Sequence, residues 1–150
     1  MVKRLSNKLS RHEVREKVVQ TLFQLIEPTK DTTTQQALEF ALLAGNDPED
    51  GYEGPIDAYL IELVDGVLAQ KANLDEQINL YLTDWSIDRI AKIDLTILRL
   101  AFYEVLFVDV NRVPNVVAVN EAIELSKGFS DDKSRHFISG VLAKLLDQHK

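Results

Sequence analysis

The stretch IDRIAKIDLTILRLAFYEVLFV, residues 87–108, decides the fold class. Ile87, Ile90, Ile93, Ile97, Leu100, Ala101 and Val105 recur at helical spacing, while Leu95, Leu98, Phe102 and Leu106 occupy much of the opposite side. A helix with one apolar stripe lies on a surface, whereas one that is apolar nearly all round is enclosed by other helices. The segment therefore predicts a central helix reaching about Val108, with a break near Asp94. Arg99, Glu104 and Asp109 interrupt the apolar run too often for a membrane span.

Towards the carboxy terminus, Pro114 suits a helix start, where its missing N–H is no loss. Val117, Ala118, Glu121, Ala122 and Leu125 continue that helix to Gly128, read as its C-cap. Ser130 or Asp131 caps a last helix that directs Phe137, Val141, Leu142 and Leu145 inward.

Towards the amino terminus, the chain turns at Asp84-Trp85-Ser86, and Asn73-Leu74-Asp75-Glu76 offers a cap ahead of Leu74, Ile78 and Leu82. Ile56, Leu60, Leu63, Val64, Val67 and Leu68 form another stripe, and residues 45–55, dense in helix breakers, read as a surface loop. A threonine among Thr32, Thr33 and Thr34 caps a short helix through Leu38, Leu42 and Leu43. Ser10-Arg11-His12-Glu13 has capping-box spacing ahead of Val14, Val18, Leu22, Leu25 and Ile26, and Pro28 stops this first helix. No apolar alternation persists long enough for a strand. The expectation is an all-α chain of about seven helices forming one domain over residues 1–150, near the commonest domain size, with 1–9 a flexible basic terminus.

The full chain carries a net charge of −7. Met1 to Gln20 nevertheless holds six cations, Lys3, Arg4, Lys8, Arg11, Arg15 and Lys17, against Glu13 and Glu16, a local +4 that leaves −11 on the remainder. Arg11 and Arg15, four residues apart, share a face of the first helix with His12 beside them. A basic end on an acidic body suits one surface meeting a polyanion, although a solubilising basic tail has the same composition. The absence of cysteine excludes disulfides, thiol nucleophiles and thiolate metal sites, and is compatible with the cytoplasm. No apolar region follows the basic opening, so no secretory signal is read.

Little else points to chemistry. His12, His136 and His149 are too dispersed for a helical metal pair, and no cofactor is expected. Glu121 and Glu124 place two carboxylates on one helical face. No histidine, activated serine or glycine-rich phosphate loop accompanies them, so salt bridges are the simpler use and no enzyme is expected. The turn from Lys127 to Lys133 is different, because it offers Phe129, cations and small hydroxyl residues at a junction of two helices, with Phe137 beyond. Unstacked RNA bases need aromatic faces and their phosphates need cations, while a helix start adds free N–H groups. Phe129 as a plug at the bundle end, Phe137 as core and Tyr81 as an interhelical contact are equally open on spacing alone.

Several blocks, Ile97 to Glu104, Val113-Pro114, Val119 to Lys127 and Lys133 to Leu142, together with Arg11, Arg15 and Leu22-Phe23-Gln24, resemble the NusB family of bacterial transcription antitermination factors. The resemblance implies two packed helical sub-bundles and binding of a short single-stranded boxA element in RNA. It further implies partnership with the ribosomal protein NusE, with other Nus factors and RNA polymerase reached indirectly, in readthrough of ribosomal RNA operons. The implied RNA path uses Arg11, His12 and Arg15 for phosphates, with Lys8 in reserve, and Tyr81, Phe129 and Phe137 for ring contacts. Lys133 extends the positive path at the start of the last helix. Trp85 is either a contact for the protein partner or core.

The opening motif is often denser in arginine than Arg11-His12-Glu13-Val14-Arg15, so RNA affinity without the partner is expected to be modest. A domain of this type also precedes RNA cytosine methyltransferases, but no glycine-rich cofactor loop follows here. The remaining alternative is a helical scaffold acting by protein contacts or homo-oligomerisation, and a homodimer stays open.

Overall fold

The computed structural model describes residues 9–27, 31–43, 56–83 and 86–149. Among the described residues there are seven α-helices and one 3-10 turn, with no strand, so the all-α class read from the sequence is the observed one. The helices are α1 Arg11–Gln24, α2 Thr34–Leu43, α3 Ala58–Ala69, α4 Lys71–Asn79, α5 Lys92–Phe107, α6 Asn115–Phe129 and α7 Asp132–Gln148. The chain divides into two compact units, residues 1–64 and 65–150. The loop expected at 45–55 lies outside the described residues, as do Lys8 and Trp85.

In the first unit α1 packs against α2. Ser10 starts α1 with the expected reciprocal cap: its hydroxyl accepts the Glu13 N–H at 3.1 Å, and its own N–H donates to Glu13 Oε1 at 2.8 Å. Donation from the Ser10 backbone, then from its hydroxyl, holds the Glu13 carboxyl below its ordinary pKa. The same device starts α2, where Thr33 Oγ1 accepts the Gln36 N–H at 3.1 Å and Gln36 Oε1 accepts the Thr33 N–H at 2.9 Å. Across the pair, Gln24 Nε2 donates to the Ala37 carbonyl at 2.9 Å. Val14, Val18, Val19, Leu22, Ala37, Leu38, Ala41 and Leu42 are buried.

The second unit is organised by α5, which packs against α4, α6 and α7. Ile97, Leu98, Leu100, Ala101 and Phe102 are fully or almost fully buried, as an all-round apolar pattern requires. The break expected near Asp94 falls earlier: a 3-10 turn at Ile87–Arg89 is followed by extended backbone at Ile90, and Asp94 sits inside the first turn of α5. A carboxylate belongs there, where the helix dipole and free N–H groups favour negative charge.

Two expected helix ends are corrected, and a choice between two caps is decided. Asn73 is not a cap, because α4 begins at Lys71 directly after α3. Gln70 donates to the Gly66 carbonyl and accepts from Leu74, so hydrogen bonding crosses the junction and leaves no free end at Asn73. Gly128 is not a C-cap; α6 runs on to Phe129, and Gly128 does not adopt the left-handed backbone of a terminating glycine. Of the two candidates for α7, Asp131 is the cap, accepting the Ser134 N–H at 2.8 Å, and Ser130 closes α6 in extended conformation. The buried side of α6 is formed by Ala118, Val119, Ala122, Leu125 and Ser126, which leaves Val117 41% exposed.

Candidate nucleic-acid interface

Arg11 opens α1, and its guanidinium carbon lies 4.3 Å from the ring centroid of Tyr59, with Nη1 3.8 Å from Asp57 Oδ1. Its side chain is exposed, so the cation is steered by a ring and a carboxylate without being removed from solvent. His12 faces Glu16 at 3.6 Å. Lys17 is partly withdrawn from water, and that burial lowers its pKa.

Arg15 departs from the expected exposed stripe, since it is only 3% exposed. The four-residue spacing does put Arg11 and Arg15 on one side of α1, but it is the covered side. On the helical wheel Arg15 falls between Leu22 and Val19, both buried, and Arg11 escapes only because it is the first residue of the helix. The basic stripe available to a ligand on the described part of α1 is therefore Arg11 and His12.

The second unit carries the remaining candidates in two places. Phe129 is the last residue of α6, Lys133 is exposed in the first turn of α7, and Phe137 follows one turn later; both rings are half-buried. Phe137 is therefore neither wholly core nor wholly exposed. The cap carboxylate of Asp131 stands at the same helix start, its pKa lowered by donation from the Ser134 backbone and then its side chain. Nearby, Arg135 pairs with Asp132, and Lys127 pairs with Glu124 at 2.5 Å. Glu124 is thus in a salt bridge, the simpler use read from its spacing.

Tyr81 does not join that cluster. Its ring meets the buried Phe102 edge-on, centroids 5.5 Å apart at 74°. It lines a cavity of about 390 Å³ with Leu80, Thr83, Lys144, Asp147 and Gln148, at the far end of α7. With a helical rise of about 1.5 Å per residue, Lys133 and Asp147 are roughly 20 Å apart along the axis.

Sequence reasoning missed Gly66 and the partner of Arg99. A Cβ on Gly66 would lie 2.2 Å from Tyr103 Cζ and Oη, so the absence of a side chain lets the tyrosine ring close on α3. A lone glycine within the stripe from Ile56 to Leu68 was the available signal. Among the described residues no three His, Asp or Glu side chains gather as a metal site, and no helix is long and apolar enough to cross a membrane.

Comparison with known proteins gives these surfaces their context. The chain is 49% identical to the transcription antitermination protein NusB of Enterococcus faecalis over 153 residues, covering 99% of this chain and 97% of that protein. Its fold is similar to that of NusB from T. maritima, with a TM-score of 0.73, 31% identity and coverage of 95% of this chain and 94% of that one. A chain in the crystal structure of antitermination factors NusB and NusE in complex with dsRNA matches with a TM-score of 0.72 over 92% of this chain and 96% of that one. At 20% identity it shows the fold alone. The NusB family model matches residues 12–147, so the chain belongs to the NusB family and serves in transcription antitermination.

Proposed function

We propose that the protein binds a short boxA-type single-stranded RNA together with the ribosomal protein NusE, and so supports readthrough of ribosomal RNA operons, with other Nus factors and RNA polymerase as indirect partners. In this reading residues 1–150 act as one RNA-binding domain. The observation that carries it is the start of α7, where Phe129, Lys133 and Phe137 combine two half-buried rings, an exposed cation and a helix N-terminus within nine residues. Stacking a base on an aromatic ring is worth about 1–3 kcal/mol, and the cation serves a phosphate. Arg11 and His12 supply the amino-terminal phosphate contacts, Lys8 extends them, and Tyr81 offers a further ring. Arg15, being buried, takes no direct phosphate contact in this reading. Trp85 is assigned to the protein partner.

Fluorescence anisotropy with boxA-like and scrambled RNA, with and without NusE, tests the assignment. The expected result is preference for boxA, tightened by NusE and weakened by Arg11→Glu or Phe129→Ala. Equal affinity for both RNAs would overturn it. Exposed Phe107, Val110, Val116 and Val117 around the α5 to α6 connection favour a second reading, a scaffold acting by protein contacts. Binding of NusE with no RNA binding under any condition would select that reading.

A further inference from the structure

Asp94 and Ser130 make a contact that the proposed RNA surface does not use directly. Asp94, 3% exposed in the first turn of α5, accepts the Ser130 hydroxyl on Oδ1 at 2.5 Å, across 36 residues of sequence. Ser130 is the one residue between Phe129, which ends α6, and Asp131, which caps α7. Its N–H donates to the Ser126 carbonyl at 2.9 Å, and because Asp131 provides the cap, its hydroxyl is free to reach α5.

Three tethers thus meet in two residues. The Ser130 N–H holds Phe129 in helical register, the Ser130 hydroxyl ties the junction to α5, and the Asp131 carboxylate fixes the first turn of α7. The tie to α5 is the one that fixes the junction against the rest of its unit. Hydrogen bonds to an ionised acceptor are about twice as strong as neutral ones, and a buried carboxylate deprived of its donor pays its full desolvation penalty. Leu98, one turn along α5 from Asp94, is fully buried, so the anchor belongs to a packed part of the helix.

We infer that Asp94 and Ser130 are positioning residues for RNA binding, locking the α6 to α7 junction so that the Phe129 ring is preset for the ligand. The inference rests on the RNA-binding reading above. Its physical basis is that a ring already immobilised does not lose its rotational freedom when a base stacks on it, a saving that enters affinity directly.

The test combines anisotropy titration of a boxA-type oligonucleotide with amide hydrogen exchange over residues 128–134. Ser130→Ala should weaken RNA binding roughly two- to tenfold, the size of one side chain's ordering cost. It should also speed exchange at the junction. Ser130→Thr keeps the hydroxyl, suits the extended backbone at φ −127°, and should restore both. In a Phe129→Ala background, Ser130→Ala should change affinity little further. Equal losses in both backgrounds, or failure of Ser130→Thr to rescue, would overturn the positioning role while leaving RNA binding intact. A wild-type protein that binds no RNA would instead remove the reading on which the inference rests, and the inference with it.

Discussion

Arg99, in the middle of α5, meets Asp75 of α4 through two parallel hydrogen bonds, Nε to Oδ1 at 2.7 Å and Nη2 to Oδ2 at 2.9 Å. A buried guanidinium in this helix is tolerated because the carboxylate matches its fork and both charges are satisfied together. One of the three charges that argue against a membrane span is thus also the one that fastens α4 to α5.

Removing the acceptor should expose how much that fastening contributes. Asp75→Ala leaves Arg99 buried without a partner and should cost about 1.5–3 kcal/mol, moderated because Asp75 is partly exposed. Asp75→Asn, which keeps one acceptor, should cost less. Urea denaturation checks this order; a loss below about 0.5 kcal/mol for the alanine variant would mean that water replaces the carboxylate.

Three helical glycines should respond in opposite directions to alanine. Around Gly128 and Gly140 an added Cβ meets nothing within 4 Å, so alanine should stabilise the helices by about 0.5–1 kcal/mol at most. Gly66→Ala drives a methyl into Tyr103 and displaces a ring stacked on Phe107 at 5.3 Å, so it should destabilise. Melting temperatures of the three variants decide it, and a stabilised Gly66→Ala would show that Tyr103 moves aside without loss.

Acid should weaken the helix starts. Glu13 and Asp131 both have pKa values lowered by the N–H groups they accept from, so each folded-state pKa lies below its unfolded one. Their contribution is complete above the ordinary carboxylate range, about 4, and is lost as pH falls through the depressed folded values. Asp131→Asn combined with Glu13→Gln keeps hydrogen-bonding caps without titration. Its melting temperature should fall less than that of wild type between about pH 5 and pH 2. Parallel curves for the two proteins would contradict the assignment.

Lys133 is a cation at a helix start, where an acidic residue is favoured. Lys133→Asp should leave the melting temperature unchanged or slightly raised while weakening RNA binding. Loss of one phosphate contact to a single strand should reduce the slope of log affinity against log salt by about 0.7. Titrations at several salt concentrations measure this; an unchanged slope with unchanged low-salt affinity would take Lys133 off the surface.

The helices themselves were legible because their signals are local. Ser10 with Glu13, a threonine ahead of Leu38 and an acidic residue ahead of α7 all act over three residues, and the all-round apolar pattern of α5 needs no knowledge of its neighbours. The candidate site was legible as residue types: rings, cations and a helix junction near residue 129. Exposure was not. Spacing puts Arg11 and Arg15 on one side of a helix, but only packing decides that this side is covered and that Arg11 alone emerges at its end. The same limit applies to Arg99 with Asp75, to Ser130 with Asp94 and to Gly66 under Tyr103, and to the separation of Tyr81 from Phe129 by most of α7. Helical periodicity fixes neighbours within about one turn, whereas these partners lie tens of residues apart and meet only when whole helices pack.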